Sequence, residues 1–132
     1  MALLSQKSEM NYASAGHLQK LTYYCSVVHC SYYSSVQLMK HILLNKIGKT
    51  EAEIKSESSS TSGGSHVYMI NETFNYLKLK NNKDLALFYN NINNLKKLRV
   101  EADYGEITID HDKGKSSIHL SDEINKILKS TL

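Results

Sequence analysis

Between Tyr23 and Ile47 the chain has no glycine, and Val28, Tyr32, Ser35, Met39 and Ile42 recur at three- and four-residue intervals. Val27, Leu38 and Leu43 widen that stripe, so the spacing predicts a long, largely buried helix, and Gly48 marks its end. A weaker pattern over residues 3–20 predicts a helix before it. Val67, Ile70, Phe74 and Leu77 predict a third, and Asn81-Asn82-Lys83-Asp84 breaks the pattern. Leu85, Phe88, Ile92 and Leu95 then form a stripe at i, i+3, i+7 and i+10. Carried on by four residues it lands on Arg99, and by seven on Ala102. An arginine where the period calls for a core residue must be paired, stacked, or turned to a cleft or interface. Gly105 stops this helix. Residues 106–117 read as a loop, with Ile107-Thr108-Ile109 briefly extended. Ser121, followed by Asp122 and Glu123, reads as the N-cap of a last helix carrying Ile124, Ile127 and Leu128. The pattern predicts an all-α, up-and-down bundle of four to five helices.

Composition sharpens this picture in three places. With 132 residues and no proline, a single helical domain over 1–132 is expected rather than a sandwich or barrel. Residues 56–65, Ser-Glu-Ser-Ser-Ser-Thr-Ser-Gly-Gly-Ser, offer nothing to bury and read as a flexible loop. No segment reaches the ~20 apolar residues of a membrane span, and the first residues lack a signal peptide's apolar run, so a cytoplasmic location is expected. Cys25 and Cys30, five apart, point about 140° from each other on a helix and read as reduced, half-buried thiols.

Charge is uneven although the net value is only +3. Residues 78–99 hold six basic side chains against Asp84, and residues 100–132 hold seven acids against four lysines. Such a basic stretch is either an anion-binding surface or a solvated face paired within the molecule.

Few groups invite chemistry. Asp110-His111-Asp112-Lys113-Gly114 fails calcium-loop spacing, because its glycine comes one position early and the twelfth residue is Ser121; it reads as a polar turn. Neither a metal nor a cofactor is expected. Arg99 and Asp103, four apart, make a helix ion pair or line a cleft together. Tyr104 packs against the bundle end or faces that cleft. His29, one turn before Tyr32 and Tyr33, reads as a core histidine bonded to a carbonyl or tyrosine. His66 reads as a helix-start residue near solvent, with a catalytic base as the sharper alternative.

Three of these segments carry a resemblance. His29-Cys30-Ser31-Tyr32-Tyr33-Ser34-Ser35, Ser65-His66 and Leu98-Arg99-Val100-Glu101-Ala102-Asp103-Tyr104 are similar, in order and approximate distance, to motifs of HEPN domains. The resemblance covers roughly residues 10–131. It implies a helical bundle and a homodimer. Active members are metal-independent ribonucleases, often paired as toxins with a nucleotidyltransferase antitoxin. These place a histidine after the arginine with four to six residues between them, whereas here the residue after four is Tyr104, and His111 lies beyond Gly105. A tyrosine with an ordinary pKa near 10 is a poor base at neutral pH, while the arginine can still grip a phosphate at two points.

The expected function is therefore a non-catalytic binding or regulatory module. Its ligand-binding residues are Arg99, Asp103, Tyr104, Tyr32, Tyr33 and His29, and its ligand is nucleotide, RNA or a nucleotidyltransferase partner. The alternative is a ribonuclease toxin drawing its catalytic groups from Arg99, Tyr104 and His66. A third reading makes the bundle a scaffold for the nucleotidyltransferase.

Overall fold

The computed structural model describes residues 3–132 as six helices. They are α1 (Leu3–Lys20), α2 (Tyr24–Ile42), α3 (Glu51–Ser59), α4 (Gly64–Leu79), α5 (Leu85–Tyr104) and α6 (His111–Lys129). A π-helical turn, Leu43–Ile47, prolongs α2 and closes at Gly48, whose φ of 85° suits a residue without a Cβ. The chain folds as an all-α bundle, and no helix among the described residues is long and apolar enough to cross a membrane.

Helix α2 is the axis, packing against α1, α4, α5 and α6. Its stripe of Tyr32, Val36, Met39 and Ile42 meets Ile70 and Leu77 of α4, Phe88, Ile92 and Leu95 of α5, and Ile124 and Leu128 of α6 in one core. Burial of these side chains is the principal stabilising term, at roughly 1.5–3 kcal/mol for each large aliphatic or aromatic group.

Two segments depart from the pattern-based expectation. Residues 51–59 form α3, which raises the helix count to six and leaves only residues 60–63 of the 56–65 stretch outside regular structure. The helix starts because Thr50 accepts a hydrogen bond from the Glu53 amide while Glu53 accepts one from the Thr50 amide, each at 3.1 Å. That reciprocal cap offsets the weak helix preference of the serines after it.

Helix α6 begins at His111, ten residues before Ser121. Asp110 caps it by accepting from the Lys113 amide at 2.9 Å, so Asp110–Gly114 is a helix start rather than a free turn. Ser121 lies mid-helix and fully buried. The buried face of α6 runs through Gly114, Ser117, Ser121, Ile124, Asn125 and Leu128. The helical period is present there, but small polar residues carry its first half, and a search for apolar side chains passes over them.

Those small residues make a polar seam between α1, α2 and α6. Ser8 and Ser34 exchange hydrogen bonds to each other's carbonyl oxygens at 2.7 and 2.8 Å. Ser121 donates to the Ser31 carbonyl at 2.8 Å, Ser35 donates to Asn125 Oδ1 at 3.0 Å, and Asn125 Nδ2 donates to Ser34 Oγ at 3.0 Å. The lack of bulk lets the backbones approach closely, and the mutual bonds remove the cost of burying the hydroxyls.

Candidate functional site

The end of α5 carries Arg99 onto the core side of the bundle, as its register requires, but no apolar pocket receives it. Its guanidinium lies instead among aromatic rings, with the central carbon 5.0 Å from the Tyr32 ring, 5.8 Å from Tyr33 and 5.9 Å from Tyr104. Cations favour such faces, the more so when little water competes. The side chain is 11 % exposed, and one nitrogen reaches Asp103 Oδ2 at 3.5 Å. Arg99 Nε is buried and has no hydrogen-bond partner in the protein.

All seven residues singled out from the sequence converge here. Helix α2 supplies His29, Tyr32 and Tyr33, one helical turn of a single face. Helix α4 supplies His66 in its first turn, and α5 supplies Arg99, Asp103 and Tyr104. Tyr33 is the hub, its ring centre 4.6 Å from His29, 5.4 Å from Tyr32 and 5.7 Å from His66. Tyr104 stays 77 % exposed at the rim, so it faces the cleft instead of packing against the bundle end.

Both histidines differ from the sequence-based expectation. His29 is not a core residue; its side chain is 49 % exposed, and its partner is a carboxylate, Asp103, at 3.2 Å from Nδ1. Asp103 therefore bridges His29 and Arg99 across α2 and α5. His66 is more enclosed than a solvent-facing helix start, because its Nδ1 lies 2.9 Å from the Tyr32 hydroxyl. Cys25 likewise is exposed rather than half-buried, while Cys30 is partly covered and burial raises its thiol pKa.

Electrostatics fix the ionisation of this pair. Burial pushes the Tyr32 phenol up to about 12, and the nearby Arg99 charge only partly offsets it, so the hydroxyl keeps its proton. His66 is held below its ordinary 6.5 by burial first, then by the positive charges of Arg99 and Lys96. It is therefore neutral at pH 7. The cation beside Tyr32 makes the hydroxyl the stronger donor, which assigns the shared proton to Tyr32 and leaves His66 carrying its own on Nε2. Lys96 is the one contributor that the pattern of the sequence did not single out, beyond its place in the basic stretch.

Family models, curated proteins and solved structures show no match to this chain. The chemistry of the site therefore rests on its own geometry. Arg99, His29 and His66 can all donate hydrogen bonds, and Asp103 is the single carboxylate among the seven residues. Two cavities, of about 350 Å³ beside Lys49 and Tyr76 and about 380 Å³ beside Thr22 and Ile109, share no residue with the site. Among the described residues, no group of three or more His, Cys, Asp or Glu side chains is arranged to hold a metal ion.

Proposed function

We propose that the protein is a non-catalytic binding module of the HEPN type whose Arg99 cleft takes a phosphate of a nucleotide or RNA strand. One observation carries the reading: a guanidinium enclosed by three tyrosine rings has a buried Nε that no protein group satisfies. A buried donor without a partner costs about 1–3 kcal/mol, and an anionic ligand removes that cost while gaining a charge-assisted bond. His29 and His66 flank the cleft, and Tyr104 at the rim offers a face for a base to stack on.

Binding of a short single-stranded RNA, followed by fluorescence anisotropy, tests this. Arg99→Ala is expected to weaken binding at least about tenfold, the effect of losing one charge-assisted bond. Arg99→Lys is expected to restore only part, since an ammonium has no planar two-point grip. Equal affinity in all three proteins overturns the reading.

A second reading, a metal-independent ribonuclease, draws support from the two imidazoles on either side of Tyr33. One would accept the ribose 2′-hydroxyl proton and the other would protonate the leaving oxygen. It requires the opposite tautomer of His66, with a free lone pair on Nε2. RNA cleavage in the presence of a chelator, lost in both Arg99→Ala and His66→Gln, would establish it over the binding module.

A further inference from the structure

Helix α3 is attached to the bundle differently from every other helix. It makes extensive contact with α4 alone, and Ile54 is its single buried side chain. The segment starts after Gly48, at φ 85°, and ends at Gly63 and Gly64, at φ 94° and 87°. These are backbone conformations that other residues adopt only with strain, so glycines, the least restricted residues, bracket the segment and can serve as its pivots.

Polar contacts add to the one apolar anchor, Ile54. Glu57 of α3 accepts from the Tyr68 hydroxyl of α4 at 2.5 Å and from Lys49 Nζ at 2.7 Å. Lys49 also pairs with Glu72 of α4 at 3.4 Å, and an exposed pair joins Glu51 to Lys40 of α2 at 3.0 Å. The Lys49 and Tyr68 bonds hold the Glu57 carboxyl below its usual range, and the Glu57 bond raises the Lys49 pKa. Lys49 and Glu57 are thus both charged around neutrality, while burial and the Glu57 bond keep the proton on the Tyr68 hydroxyl. With one buried aliphatic side chain and a charged latch, α3 has the composition of an element that opens locally without global unfolding.

Its C-terminal pivot adjoins the candidate site. No side chain caps α4, and a Cβ added at Gly63 would meet Val67 at 2.7 Å, so the pivot's backbone packs directly onto the first turn of α4. His66 lies in that turn, two residues past the pivot. We infer that α3 is a hinged strap, latched to α4 through Lys49, Glu57, Tyr68 and Glu72, whose release loosens the first turn of α4 and so regulates His66 in the Arg99 cleft. The regulatory consequence rests on the phosphate-binding reading; the hinged strap itself does not.

Hydrogen exchange of the full chain, read by mass spectrometry, separates the two. In the wild type, amides of 51–59 are expected to exchange faster than the buried amides of α2 and α5. Tyr68→Phe keeps the ring and removes the latch bond. It is expected to speed exchange of 51–59 roughly tenfold, with a smaller acceleration over 66–69 and none in α2 or α5. Ile54→Ala, which weakens docking without touching a charge, is expected to act in the same direction. Exchange of α3 in step with α2, equal acceleration of all helices, or acceleration of 51–59 with none at 66–69 each overturns the strap. RNA affinity measured on the same proteins tests the consequence: the Tyr68→Phe protein is expected to bind more weakly than the wild type. Absence of RNA binding in every protein would sink the phosphate reading and leave the strap judged by exchange alone.

Discussion

Two regions of this bundle place polar groups against α2, and they treat them in opposite ways. In the seam with α1 and α6, Ser8, Ser34, Ser35, Ser121 and Asn125 are buried and bonded to one another or to backbone carbonyls. On α5, against the Tyr32 and Tyr33 rings of α2, the Arg99 side chain is only 11 % exposed, yet its Nε finds no protein acceptor. Buried polarity that is satisfied internally acts as packing. Buried polarity that the protein leaves without a partner, beside a cleft, is what the proposed anionic ligand would satisfy. The difference separates a structural seam from the proposed binding site, although serine, asparagine and arginine look equally out of place on a helix's buried stripe.

The largest expected effect would break the seam. Ser121→Leu inserts a branched side chain where the backbones of α2 and α6 approach, and removes the donor to the Ser31 carbonyl. Overpacking together with the lost bond is expected to lower stability by about 3 kcal/mol, measured by denaturant unfolding. A change below about 0.5 kcal/mol, the range of ordinary surface substitutions, would show that the seam is loosely packed.

A smaller effect sharpens the electrostatic half of the comparison. His66 is expected to titrate below 6.5 by NMR, and Arg99→Ala to move it upward without reaching that value, because burial is the larger cause and persists. The sign for stability follows: the folded state binds this proton less readily than the unfolded chain does. The His66 contribution is intact above about 6.5 and is lost as pH falls through and below that value. An unshifted His66 in the variant would mean that the guanidinium does not act on it.

The apolar periods of α2 and α5 made much of this fold legible in the sequence, and the register that puts Arg99 on a buried stripe marks the candidate site. His29, Tyr32 and Tyr33 share one helical face, so their company was readable too. The start of α6 was not, because Gly114, Ser117 and Ser121 mark its buried face with small residues instead of apolar ones. Helix α3 was hidden by its serines, although Thr50 and Glu53 had the spacing of a reciprocal cap. The place of His66 depends on how α4 packs across α2, a tertiary relation for which no local pattern exists. The same holds for the Glu57–Tyr68 latch, whose partners are 11 residues apart on separate helices.

The most direct test follows the Arg99 side-chain Nε–H resonance while a short single-stranded RNA is added to the isotope-labelled protein. A saturable downfield shift of that resonance, accompanied by the His29 and His66 ring signals and with the amides of Ser31, Ser35 and Ser121 unmoved, is the predicted result. RNA binding that shifts other surfaces and leaves the Arg99 resonance in place would contradict the claim that its unsatisfied donor is the ligand's anchor.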